Sequence, residues 1–160
     1  MLAYAFIIPL IPLASFLAIG FFGRRFRDGG SLLGIAAVGI SFLLALAVLF
    51  SFMGARAGVE GAAVFDFSYP WTPVGELTIP LGFQVDALTA LMLVMVSLVS
   101  LMVHIYSVGY MHGDARYTRF YATLSLFTAA MLALVLADNF LLLFISWEIM
   151  GLCSYLLIGH

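Results

Sequence analysis

Five apolar runs of near twenty residues, each set off from the next by a short polar stretch, give this chain its pattern. The first covers Met1 to Phe22, the second starts at Ser31 and ends about Met53, and the third follows Asp86 to Val108 or beyond. The fourth ends about Ala137, and the fifth runs from Asn139 to Gly159. Inside a bilayer no water satisfies amides, so these runs are predicted to be helices. Pro9 and Pro12 should distort the first turns of span one. Arg24, Arg25 and Arg27 follow that run instead of preceding it, which predicts a retained helix and not a secretion signal.

The connections carry their own signals. Asp28-Gly29-Gly30 is a tight turn with Ser31 as the expected cap of span two. Gly30 and Gly34 have the spacing of a close helix approach, a weak signal at a helix end. Between Gly54 and Gly82, Phe65, Phe67, Tyr69 and Trp71 alternate with polar or proline positions. Leu77, Ile79, Leu81, Phe83 and Val85 do the same, so a β-hairpin turning at Thr72-Pro73-Val74-Gly75 is predicted. Its aromatics suit the membrane interface. Ser97, Ser100, His104 and Ser107 share one face of span three. Thr118, Tyr121, Ser125 and Thr128 repeat that spacing on span four and could meet it.

Composition agrees with a polytopic membrane protein. Of 160 residues, 65% are hydrophobic and 9% charged, against about 25% charged in soluble domains. The net charge of −2 suggests no particular partner, and no nucleic acid is expected. Cys153, the single cysteine, excludes an internal disulfide and reads as a small packing residue. Three arginines after span one and two after span three place those loops in the cytoplasm or its equivalent. The amino terminus and hairpin are then outside.

Glu148 is the leading chemical candidate. It lies one residue from the centre of span five, where a carboxylate costs roughly 2.5–3.5 kcal/mol on insertion scales. Such a residue suits proton handling, although packing against a polar partner would also hold it. The chain has no lysine, so a cationic partner for Glu148 is absent, supplied by another chain, or replaced by water and polar groups. His104 could pass protons or be satisfied between helices. Asp86 and Asp138 stand at helix starts, where capping is the simple reading and a proton entry or exit at Asp138 the sharper one. His112 and His160 receive no role. No metal site is expected, and no nucleotide loop, CxxC pair or nucleophile elbow is present.

Several stretches together resemble one family. They are Val85–Leu93, Val103–Met111, Tyr117–Tyr121, Val135–Leu143 and Ser146–Gly159, the last with Trp147-Glu148 and Gly151-Leu-Cys-Ser-Tyr-Leu-Leu-Ile-Gly159. The chain resembles the amino-terminal part of the L subunit (subunit 5) of respiratory complex I, the proton-pumping NADH:quinone oxidoreductase, from about Phe65 onward. The resemblance implies an antiporter-like helical bundle of inverted repeats. It implies that Glu148 pairs with a lysine on a later span and takes part in proton translocation. NADH, flavin, iron–sulfur clusters and quinone would belong to partner subunits, with no cofactor in this chain. Other membrane subunits, the lipid bilayer and protons are the implied partners.

The expected fold is thus an all-α membrane protein of five transmembrane helices with a short extracytoplasmic β-hairpin between spans two and three. Residues 1–53 would form spans one and two, 54–85 the hairpin loop, and 86–160 the start of the proton-translocating domain. Family members are much longer, so a truncated sequence is expected. The expected location is the bacterial cytoplasmic membrane or an equivalent energy-transducing membrane. The alternatives are the large subunit of a multisubunit sodium/proton antiporter and a non-pumping structural fragment.

Overall fold

Five α-helices and one two-stranded hairpin make up the computed structural model, which describes residues 4–26, 28–56, 65–74 and 77–160. Helix α1 is Ile7–Phe22, α2 Ser31–Arg56, α3 Ala87–Tyr110, α4 Tyr117–Leu136 and α5 Phe140–Ile158. Strands β1, Phe65–Val74, and β2, Leu77–Val85, stand between α2 and α3. Four helices, Ser31–Gly54, Ala87–Tyr110, Tyr117–Leu136 and Phe140–Ile158, are long and apolar enough to cross a membrane.

Helix α1 is shorter than the expected first span. Its 16 residues extend about 24 Å, against about 30 Å of hydrocarbon. Pro9 lies in its first turn, where a missing N–H breaks no helical bond, and Pro12 sits within the helix. Tyr4 to Phe6 turn into it without being part of its regular run.

Local polar contacts set the starts of α2, α3 and α5, and two differ from expectation. Asp28, not Ser31, caps α2: its Oδ2 accepts the Leu32 N–H at 2.8 Å. Ser31 Oγ instead donates to the Asp28 carbonyl at 3.1 Å. Gly29 and Gly30 make this possible with φ of 64° and 94°, values that side chains disfavour. Asn139, not Asp138, caps α5, accepting the Leu142 N–H at 2.8 Å. Asp86 caps α3 as expected, with its Oδ1 2.7 Å from the Thr89 nitrogen. That donated hydrogen bond is the main reason its carboxyl is held below the ordinary carboxylate value.

The hairpin is present, but it turns later than the sequence predicts. Phe65 faces Val85, and pairing continues through Pro73↔Thr78 to Val74↔Leu77. Prolines survive here because both strands of a two-stranded ribbon are edges. The one irregularity falls between Pro70 and Thr72, beside the facing pair Pro70↔Pro80, where neither residue has an N–H for the ladder. Residues 75–76 lie outside the described ones, and with them part of the expected turn.

Helix α4 is central and packs against α1, α3 and α5, while α2 packs against α1 and α3. Near the hairpin, Ile8, Ala45, Phe52, Val85, Leu93 and Leu136 belong to one buried cluster. At the other end, which carries the arginine loops, Ile19, Tyr121 and Ala122 form a smaller one. Gly30 and Gly34, weak signals in the sequence, are true contact points. A Cβ on Gly30 would come within 2.9 Å of Ile19, and one on Gly34 within 3.3 Å of the His104 ring.

Candidate functional site

The two polar stripes meet, as their spacing suggested, in the seam between α3 and α4. Ser100 Oγ and Thr128 Oγ1 are 2.5 Å apart. Tyr121 OH donates to the His104 carbonyl at 2.9 Å. Thr118 is the exception, because it turns to the loop after α1, where its methyl sits against Gly23.

His104 is fully buried in this seam. Its Nδ1 is 2.8 Å from the Ser100 carbonyl oxygen, which can only accept, so Nδ1 carries the proton. Nε2 then points a lone pair elsewhere, and no described residue hydrogen-bonds it. Ser125 Oγ, also fully buried, is likewise unpartnered among the described residues. Both border Gly34: a Cβ there would lie 3.3 Å from His104 Cδ2 and 3.5 Å from Ser125 Oγ. Beyond Ser100 and Thr128, the seam opens to a groove of about 300 Å³ bordered by Met95, Val99, Phe127 and Met131.

Glu148 lies elsewhere. It is the ninth residue of the 19 in α5, about 12 Å along the axis from Phe140. Helix α5 turns Ser146 and Cys153 into the protein and leaves Trp147, Leu152 and Tyr155 exposed, with Glu148 also on the bare side. Among the described residues, no hydrogen bond or ion pair reaches it. A carboxyl on an uncovered apolar helix face is suited to a partner from outside this chain segment.

Asp138 occupies a third place, at the hairpin end. Its carboxylate lies where a Cβ on Gly82 would be, and its N–H points to the Gly82 carbonyl at 3.4 Å. Ala137 forms an antiparallel bridge with Phe83, and Asn139 Nδ2 donates to Asp138 Oδ1 at 2.6 Å. Asp138 therefore fastens the α4–α5 turn to β2 and does not cap α5. The structure does not bring Glu148, His104 and Asp138 together. Sequence reasoning placed Ser125 on the stripe facing that of His104 but missed Gly34 of α2 as their common neighbour.

Known proteins are similar to this chain in sequence. Residues 71–121 match the family described as NADH-Ubiquinone oxidoreductase (complex I), chain 5 N-terminus. The chain is 48% identical over 156 residues to F(420)H(2) dehydrogenase subunit L of Methanosarcina mazei, covering 98% of this chain and 22% of that protein. It is 46% identical to NADH-quinone oxidoreductase subunit L of Neisseria meningitidis, covering 96% and 22%. This chain matches the amino-terminal region of complex I subunit L. The subunit L of Mycobacterium tuberculosis agrees, at 42% identity with 98% and 24% covered. The chain thus spans about a quarter of the length of these L subunits. Similarity over nearly the whole chain extends the resemblance to spans one and two, whose residues had offered only hydropathy and an arginine cluster. The L-type similarity and the apolar helices make it an integral membrane chain.

Proposed function

We propose that this chain forms the first helices of a proton-translocating membrane subunit, in a complex that couples electron transfer from a reduced carrier to quinone reduction. The observation that carries this reading is Glu148, a carboxyl at the midpoint of α5 on a face no described residue covers. Retaining it against the cost of burial in hydrocarbon requires a partner and a use. Glu148 is the relay group, exchanging a proton with a cationic partner in the remainder of the longer subunit. His104 serves as a second relay, because its buried Nε2 has no hydrogen-bond partner among the described residues while Nδ1 donates to the Ser100 carbonyl. Asp138 is close to the membrane surface and can serve a proton path there only without losing its hold on Gly82.

In this reading residues 1–53 form spans one and two, 54–85 the hairpin loop, and 86–160 begin the translocating domain. The arginine loops face the inner side of a bacterial cytoplasmic or equivalent energy-transducing membrane. Redox cofactors belong to partner subunits. The relatives' names support that division, since they cite different donors, F(420)H(2) and NADH, for similar L subunits.

The test is Glu148→Gln in the full-length subunit within its complex. Proton pumping per electron is expected to fall severalfold or vanish, with electron transfer measured separately in uncoupled membranes. An unchanged proton-to-electron ratio would remove Glu148 from the mechanism and favour a structural role for this chain.

A further inference from the structure

We infer that the seam between α1 and α4 is a binding site for an anionic phospholipid of the leaflet on the arginine side. At that end α1 and α4 enclose a cavity of about 550 Å³, with Arg116 and Arg119 at its mouth and Phe16, Gly20 and Ala122 as its apolar wall. Towards the hairpin, the same seam continues into an apolar cavity of about 290 Å³ bordered by Leu10, Leu13, Leu126, Ala129 and Ile149. The two are separate cavities, the second also bordered by α5, that line up along the same seam. Positions 10, 13, 16 and 20 on α1, and 119, 122, 126 and 129 on α4, recur every three or four residues and so line one face of each helix. From Gly20 to Leu10 the seam runs about 15 Å, the depth of one leaflet.

The chemistry changes along it as a lipid does. Neither guanidinium is ion-paired among the described residues. The nearby carboxylate, Asp114, forms no ion pair with either, although its charge is felt at Arg116: its Oδ1 accepts the Arg116 backbone N–H at 2.7 Å and lies 3.3 Å from His160 Nε2. No side chain caps the first turn of α4, which also points its free N–H groups to this end. Two arginines suit the oxygens of a phosphate diester. Below them, Gly20 leaves space: a Cβ there would meet no atom within 4 Å. An acyl chain fits that space without displacing a side chain. A soluble anion would satisfy the arginines but leave the groove unused, and a peptide would bring backbone amides into an apolar channel that offers them no partners.

The site is independent of any role of Glu148 in pumping, so the two ideas fail separately. The experiment uses the full-length subunit in its complex, in nanodiscs mixing zwitterionic phosphatidylcholine with anionic phosphatidylglycerol. Native mass spectrometry after mild extraction counts retained phosphatidylglycerol. Arg116→Gln with Arg119→Gln is expected to lower its apparent affinity roughly thirtyfold, taking about fivefold per arginine near a membrane surface. Gly20→Leu, which keeps both charges and fills the groove, should lower it as well, while the complex assembles normally. Retention unchanged in both variants would overturn the proposal. So would displacement by inorganic phosphate alone, or a density map of the complex with a protein helix in the groove.

Discussion

Single side chains hold the starts of α2, α3 and α5, and Asp86 is the clearest case. Its bond to the Thr89 N–H satisfies one of the free donors of α3 and depresses its own carboxyl. Replacing it with alanine is expected to cost about 1 kcal/mol of stability, read from unfolding in mild detergent. Because the folded value lies below the ordinary 3.8, the carboxylate's contribution is complete above that pH. It is lost as pH falls through the lower folded value, so the wild type and Asp86→Ala should converge in strong acid. A difference unchanged down to the acid limit would show that the charge is not what caps the helix. Asp86 was legible in the sequence because an acid before an apolar run has one obvious use. Asp138 and Ser31 looked equivalent, yet the caps belong to Asn139 and Asp28. Those choices depend on which neighbouring backbone approaches: Gly82 draws Asp138 away, and the glycines at positive φ fold Asp28 back.

Between elements, the joint of the hairpin with the α4–α5 turn is the most specific contact. The Asp138 carboxylate fills the space of a missing Cβ at Gly82, so Gly82→Ala cannot be accommodated without movement. That substitution is expected to cost about 1–3 kcal/mol in the wild type. With Asp138→Ala in place the same change should cost much less, a coupling of roughly 0.5–3 kcal/mol. Additive effects, measured by the same unfolding assay, would mean that the two residues do not share this space. The helices and the two polar stripes could be read from period alone, because the repeats of span three and span four are local facts. The register of the hairpin could not. A Thr-Pro-Val-Gly stretch has turn chemistry, but the ribbon's open edges let the ladder continue past Pro73, which faces Thr78, to Val74, which faces Leu77.

For the whole molecule, the main asymmetry is that α4 is packed on several sides while α5 rests chiefly on α4. Leu152 and Tyr155 stand 56% and 73% exposed, on the side that carries Glu148. If the remainder of an L-type subunit covers this side, a photoreactive residue replacing Leu152 should crosslink within the full-length protein. In a chain of residues 1–160 alone it should label detergent instead. Detergent labelling in both would leave Glu148 facing lipid and without the partner a relay needs. The sequence showed that Glu148 sits mid-span, a matter of counting. It could not show which way Glu148 faces, because α5 is apolar on every side and has no polar stripe to orient it.

The fastening at Gly82 also has a mechanical meaning. Phe83 bridges Ala137, Asp86 caps α3 three residues beyond Phe83, and Asn139 caps α5 two residues beyond Ala137. The hairpin therefore acts as a hinge plate on which the near ends of α3 and α5 share one pivot. At the far end of α5, His160 lies against Asp114 and the Phe120 ring. Helix α5 is then a lever about 28 Å long with Glu148 about 12 Å from the fulcrum. A swing of about 5° would carry that carboxyl about 1 Å, enough to make or break a hydrogen bond to whatever faces it.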